Sequence, residues 1–546
     1  MSSPSSTSAP PVRPKGKMML ALVVALVLII AALAGAWAAG LFGGKEKKEK
    51  VLVVGMAEDI TIMDPSKANW MFGPADVIYD TLFTRDLEGG YADGLVDTWV
   101  MDRDNLTLLM NLKPNMKFHD GTPCDAEAIK WNVEYQGGPD AYSAYMFASI
   151  AEVWVIDAVT VQFNLSYADS SLMFNLSNIY SAIMSPAAVQ AAGDSYGTGT
   201  NVTGSGPFMI QKWIPGESVT VVKNPNYSWA PRWMENRGAA KIDKIIYKIV
   251  PDDASRTLAY ESGDIDVLMS VPPYKIGQYQ ARSDTEILSG PGQGVYFLEF
   301  NCGMAPWDNV SLRKAFGFMI NRTEIVQTVW YGYGEPAPNY LPPILPETNT
   351  NPALNFTYDP VRAAELLSIA GYVDSDQNGW VEKHHQELTL RIWTTTRGED
   401  SSMSALLKEQ IEECGVHVAL SQYDMNTLED LCSQGDFDSD MGKDSWPRAD
   451  IMDWLLGSDY IPYPNTAHFS DPVFDDLILQ GYAATSDAEY TAAMTAAHER
   501  LLELSPWAPI FYWEQIHAVH TWVSGWTVHP LGQETVQDIV DVDINK

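Results

Sequence analysis

Apolar and polar positions along this chain fall into two regimes. Residues 18–42 form an apolar run without one charge, long enough to cross a bilayer at about 1.5 Å of rise per residue. From Val51 onward, short apolar runs alternate with amphipathic stretches. Val51–Gly55 reads as a strand, and Asp64-Pro65 as a turn. Leu112–Glu134 shows the whole alternation in one place: an apolar strand end, a polar turn His119-Asp120-Gly121-Thr122-Pro123, then a helix. That helix carries Ile129 and Val133 on one face, with Asp125 placed to cap it.

Further elements follow from the same patterning. Ser185-Pro186 is a helix start and Gly193 a helix stop. The period-two alternation around Val219 and Val221 predicts a hairpin. Ile242–Pro251 reads as a strand, and Arg256–Gly263, Arg362–Ala370 and Ala405–Cys414 as helices. Strands interleaved with helices predict an α/β fold with central sheets. At 546 residues the chain exceeds what one core holds, so about two or three domains are expected.

Charge narrows the partners. The net charge is −35; residues 1–50 carry seven Lys/Arg and two Glu, so the remainder carries −40. Such a surface repels phosphate backbones, and no nucleic-acid partner is expected. Arg13, Lys15 and Lys17 precede the apolar run, and Lys45, Lys47, Lys48 and Lys50 follow it, so the flanking cations do not fix an orientation. The functional body lies after the run. An uncleaved anchor in the cell membrane, with the body outside, is the leading expectation. Cleavage near Ala36-Trp37-Ala38, which would release a secreted body, is the alternative. No cysteine follows the run to take a lipid. Asn-x-Ser/Thr sites at Asn105, Asn164, Asn175, Asn201, Asn226, Asn309, Asn321 and Asn355 exceed chance and favour an exterior surface.

Several chemistries are absent. No His-Glu-x-x-His, phosphate-binding loop or Gly-x-Ser-x-Gly elbow occurs, so no catalytic residue, metal or cofactor is expected. Gly332-x-Gly334-x-x-Ala337 follows a predicted helix and contains Pro336, which argues against a dinucleotide loop. Asp374-x-Asp376-x-Asn378-Gly379 resembles the start of a calcium loop, but position twelve would be His385; a turn held by Asp and Asn side chains is the simpler reading. His384-His385 reads as an exposed pair, and His119 as a brace of its own turn. The four cysteines match no zinc spacing. Cys414 and Cys432 end consecutive predicted helices, which leaves a disulfide and two free thiols as alternatives.

The Phe118–Pro123 string F-H-D-G-T-P, followed by an acidic helix, resembles the extracellular solute-binding proteins of peptide-type ABC transporters, family 5. The opening L-V-V-G-x-A-E-D-x-x-x-M-D-P (Leu52–Pro65), Tyr79–Phe83 and Leu95–Trp99 extend the likeness. So do Gly204–Phe208, Trp213–Val219, Lys223–Tyr227, Gly294–Asn301 and Ser505–Ile510, in the family's order. The resemblance implies a two-lobed α/β clamp of the periplasmic-binding-protein kind (type II, with an extra small domain), preceded here by one transmembrane helix. Its expected parts are a tail 1–17, the anchor or signal 18–43 and a charged linker 44–50. Lobe I would be 51–293 with a small domain about 92–201 inserted, lobe II 294–519, and 520–546 a return to lobe I. Hinge crossings would fall near Gly290–Val295 and His517–Ser524.

The family implies a non-catalytic, monomeric receptor that delivers short peptides to ABC permease subunits. Oligosaccharides or nickel chelates are alternative ligands, and an exported hydrolase is a rival from another class. Asp450-Ile451-Met452-Asp453-Trp454-Leu455 matches the D-P-x-x-F-L stretch whose Asp receives a ligand ammonium in peptide-binding relatives. Ile451 replaces the Pro, and Arg448 creates an R-x-D form found in relatives that bind other ligands. Asp450 is therefore the expected ammonium partner, with helix capping as the alternative. Arg448, Trp446, Trp454, Trp393 and Trp70 are the further expected ligand-binding residues.

Overall fold

The apolar run after the charged linker folds as its pattern predicts. In this computed structural model, Val51–Met56 is a strand between two parallel neighbours, Lys244–Ile249 and Val267–Leu268. Parallel neighbours need a crossover, and the helix Asp253–Glu261 supplies it. Asp252 caps this helix, accepting from the Ser255 N–H at 2.8 Å. The structure describes residues 48–68, 71, 73–396, 398–445, 447–529 and 539–546, together with 25–27 and 30, which are helical. Residues 1–49 and 50–546 form separate units. The predicted span 18–43 otherwise lies outside the described residues. Among the described residues no helix is long and apolar enough to cross a membrane.

The body, residues 50–546, is organised on one sheet of eleven strands. Its order from one edge is His417–Tyr423, Thr389–Thr395, Ser439–Ser445, Thr285–Phe300, Trp507–His520, Val267–Leu268, Val51–Met56, Lys244–Ile249, Ser218–Lys223 and Phe208–Ile214. Glu335–Pro336 pairs beside Trp507–His520, so the Gly332–Ala337 stretch is sheet edge. The last two strands of the order are the hairpin predicted from alternation. A separate antiparallel sheet of four strands is built from residues 96–165.

Buried apolar side chains sort into cores along this sheet. The largest runs from Leu52 to Met269 and takes in Val519 to Ile544. A second packs Leu298 and Phe300 against the helices Val310–Met319, Pro360–Ala370 and Gly398–Glu413. A third packs Val295 and Phe297, from the opposite face of the same strand, against Pro472–Tyr482 and Asp487–Leu504. Alternation along one strand thus feeds two cores.

The F-H-D-G-T-P turn earns its place by docking. The His119 N–H donates to the Gly204 carbonyl at 2.9 Å, and Nε2 lies 2.9 Å from the Gly206 carbonyl. A proton on Nε2 makes that contact a hydrogen bond, and burial lowers the His119 pKa to about 4, so the ring stays neutral. Asp120 accepts from Thr122 and from Ser185 Oγ at 2.6 Å. Gly206 must be glycine, because a Cβ there would lie 2.7 Å from the Ile78 carbonyl. Asp125 and Ser185 cap their helices as the sequence predicts.

Among the described residues, two long strands run through both ends of the body. Thr285–Pro291 pairs with Glu514–His520 beside the first core, and Val295–Glu299 pairs with Trp507–Tyr512 between the second and third. The register shifts between Pro291 and Val295. There a Cβ on Gly292 would sit 1.6 Å from the Trp513 carbonyl oxygen. A backbone atom cannot step aside without breaking the ladder. Gly292→Ala is therefore expected to lower stability by about 1–3 kcal/mol or more; thermal unfolding measures it, and an unchanged melting temperature would refute this role for the glycine.

Candidate ligand-binding site

The loop after strand Ser439–Ser445 carries Arg448 and Asp450 into the helix Ile451–Leu456. Arg448 Nε donates to Asp450 Oδ2 at 3.0 Å, with side chains only 10% and 12% exposed. Asp450 holds the N-cap position of that helix, yet its side chain makes no capping bond. Its φ and ψ of −66° and −8° are already helical, whereas a capping side chain reaches back from extended backbone. Its other oxygen, Oδ1, is buried with no hydrogen-bond partner among the described residues.

Arg448 also joins parts of the body that are distant in sequence. Nη1 donates to the Ser170 carbonyl and Nη2 to Ser171 Oγ, each at 3.4 Å. The guanidinium lies 4.4 Å from the Tyr490 ring centre and 5.4 Å from that of Phe174. Ser170 adds a bond from Oγ to the Gly481 carbonyl at 3.1 Å. Arg103 and Asp487 approach to 3.6 Å between the same two regions. Burial, the largest single influence, lowers the Arg448 pKa, but the Asp450 carboxylate together with Tyr490 and Tyr91 outweighs it and the net shift is upward. The guanidinium stays charged.

Tyrosines surround this pair. The Tyr482 hydroxyl donates to Asp453 Oδ2 at 2.9 Å, and burial, foremost, raises Asp453 to about 6. Burial and then the Asp450 charge push the Tyr482 and Tyr490 phenols up, so both remain neutral. A cavity of about 100 Å³ lies alongside, lined among others by Arg85, Phe174, Ser177, Asn178 and Pro447.

The other expected residues fall apart. Trp454 is partly exposed beside Tyr460, their rings 5.5 Å apart. Trp393 packs with Leu428, Cys432 and Phe437 in a small core of its own. Trp70 and Trp446 lie outside the described residues. Arg85, Ser170, Ser171, Phe174 and Tyr490 join the neighbourhood without having been picked from the sequence. The one signal available was Arg85 as a lone cation in the Leu82–Glu88 stretch of an acidic chain.

Elsewhere, Asp374, Asp376 and Glu382 bring carboxylate oxygens within 4.8 Å of one another. Asp374 accepts from the Asn378 and Gly379 amides, which is the turn expected from the Asp/Asn spacing. All four cysteines are free thiols. A buried acidic group sits in the sheet between the cores: Glu299 and Asp440 are directly paired across neighbouring strands. Glu299 accepts from Thr466 Oγ1 at 2.6 Å and Trp507 Nε1 at 2.8 Å. Burial raises Glu299 to about 7 and Asp440 upward as well; the Glu299 charge pushes Asp440 further up, while Asp440 lowers Glu299.

The chain as a whole resembles known proteins. The family model described as bacterial extracellular solute-binding proteins, family 5 (middle), matches residues 91–460. The chain is similar to the glutathione-binding protein GsiB of Escherichia coli O1:K1, 26% identical over 495 residues that cover 88% of this chain and 92% of the relative. Among solved structures, NikZ from Campylobacter jejuni in complex with Ni(L-His) aligns with a TM-score of 0.78 at 18% identity, covering 90% of this chain and 99% of that one. The oligopeptide-binding protein AppA of Bacillus subtilis, in complex with a nonapeptide, aligns with a TM-score of 0.75 at 18% identity, covering 92% and 100%. The mixed α/β fold is that of two-lobed periplasmic binding proteins.

The Glu299–Asp440 pair sets a pH dependence. Glu299 has a folded pKa above its ordinary value, so its stabilising contribution is full below about pH 4.5 and is lost as pH rises through about 7. Asp440→Asn removes one of the two facing carboxyls. The melting temperature of the parent is expected to fall between pH 5 and 8 more steeply than that of the variant. Parallel curves would show that the pair does not share a proton.

Proposed function

The chain belongs to the bacterial extracellular solute-binding proteins of family 5, and on that footing we propose that its body captures a short peptide between two lobes and delivers it to ABC permease subunits. The observation that carries this reading is the buried Arg448–Asp450 pair with Asp450 Oδ1 unpartnered, set where residues 170–174 meet the loop before Ile451. A carboxylate oxygen in a water-poor cleft pairs strongly with an ammonium. Arg448, Asp450 and Trp454 form the proposed contact set, with Trp446, Trp70 and Trp393 as further candidates on sequence grounds. Glutathione, Ni(L-His) and a nonapeptide, which the relatives' names and titles give as their ligands, are all built from amino acids.

Lobe I is proposed as 51–293, with the small domain about 92–201, and is completed by 520–546; lobe II is 294–519. The separation of the first apolar core from the second and third supports this division, and hinge motion of such lobes closes them on ligand. The receptor is proposed to act as a monomer without catalysis or cofactor. Residues 18–43 are proposed to anchor it to the outer face of the membrane, on the strength of their charge-free length.

Two outcomes test these proposals. Full-length protein, stripped of ligand in detergent, should bind trialanine saturably and leave it uncleaved, whereas N-acetyl-trialanine should bind weakly. Asp450→Asn should lose on the order of 2–4 kcal/mol of trialanine binding with little effect on the acetylated peptide. It should also lower the melting temperature, since Arg448 keeps its charge without its partner. Equal binding of trialanine by variant and parent would refute the ammonium role, and cleavage would refute the receptor. For the anchor, carbonate washing should leave the protein in the membrane fraction; release with a mature start near Ala39 would show a cleaved signal.

A further inference from the structure

Arg85 is a second cation, partly buried, on a cavity whose wall includes Phe174, the ring over which the Arg448 guanidinium lies. Its Nε donates to the Gly89 carbonyl at 2.8 Å, and its guanidinium lies 4.7 Å from the centre of the Tyr91 ring. Nη1 is buried and has no hydrogen-bond partner among the described residues. A guanidinium N–H left unpaired away from bulk water is costly, so the position is built for something that arrives later. Burial, chiefly, lowers the Arg85 pKa, and the Arg448 charge lowers it further, which places the two guanidiniums in one electrostatic neighbourhood.

The cavity that Arg85 lines holds this one cation together with two carboxyl groups. Among its described lining residues, Arg85 carries the one fixed positive charge. His529 also lines it, but burial lowers its pKa and keeps it neutral. The two carboxyl groups in the wall are engaged. Asp80 accepts from Ser205 Oγ, Trp229 Nε1 and the Tyr227 hydroxyl, and Asp76 accepts from the Gly73 N–H at 3.1 Å. At about 100 Å³ the cavity is well below the roughly 300–1,000 Å³ of a whole-ligand site. It fits one small group, such as a carboxylate.

We infer that Arg85 receives a carboxylate of the ligand through Nη1, in the cavity bordered by Phe174, Asn178 and Pro447, while Asp450 Oδ1 receives the ligand's ammonium. Two orphaned polar atoms of opposite character in one neighbourhood specify a bipolar ligand. Arg448 stays in the contact set, but three of its N–H groups already donate to Asp450, Ser170 and Ser171, so Arg85 Nη1 is the donor set aside for the anionic end. This inference rests on the reading of the site as a peptide cleft. It adds the recognition of the anionic end, and with it a preference for free acids over amides.

The test is calorimetry of the stripped full-length protein with trialanine and trialanine amide, on parent and Arg85→Gln. Amidation should weaken binding to the parent by roughly 10- to 100-fold. Arg85→Gln should weaken the free acid by a similar factor and leave the amide unchanged, and Arg85→Lys should recover part of the loss. Trialanine binding with no penalty for amidation, in the parent itself, overturns the role of Arg85 and leaves the peptide reading standing. Equal weakening of acid and amide by Arg85→Gln overturns it too. Failure of the parent to bind either peptide overturns the peptide reading, and this inference with it.

Discussion

Everything in the body hangs on one antiparallel ladder. Strands Thr285–Phe300 and Trp507–His520 run past the first core, through the register shift at Pro291–Val295, and on between the second and third cores. Because side chains alternate along a strand, the second half of one strand supplies Leu298 and Phe300 to one core and Val295 and Phe297 to another. The ladder can do this only where Gly292 and Gly294 let Trp513 lie against the backbone. The sheet is thus shared by separate cores, and these two strands run through all of them.

The site is a consequence of that arrangement. Residues 170–174 belong with the first core, while Arg448, Tyr482 and Tyr490 belong with the third core and its surroundings. They touch only because the ladder holds the two regions face to face. The guanidinium of Arg448 fills the contact by cation–π stacking on Tyr490 and Phe174 as well as by hydrogen bonds. Its charge is sustained by Asp450, so the contact and the candidate ligand carboxylate are one electrostatic unit. A ligand that takes up Asp450 Oδ1 therefore acts on the same group that ties residues 170–174 to the surroundings of the third core.

Local features were legible in the sequence and long-range ones were not. Asp125 and Ser185 cap helices whose starts are written within three residues, whereas the helix capped by Asp252 begins three residues before the Arg256 start that its apolar pattern suggests. The His119 turn could be read as a brace, although its partner loop at Gly204–Gly206 could come only from the family likeness. Asp450 shows the limit of local reading: its position suits a cap, but helical backbone there turns the side chain toward Arg448 instead. Trp393 was picked for its neighbourhood, and its strand places the ring in a small core with Phe437. Arg85, Phe174 and Tyr490 lie hundreds of residues from one another or from Arg448, and no spacing rule joins such positions.

The most direct measurement is an electron-density map of the full-length protein crystallised with the ligand that accompanies it through purification. The account predicts density for a small amino-acid-derived molecule between residues 170–174 and the Arg448 loop. A nitrogen of that molecule should lie within hydrogen-bond distance of Asp450 Oδ1, with a carboxylate at Arg85 Nη1. Ligand density elsewhere in the body, with Asp450 and Arg85 contacting only protein or water, would contradict it.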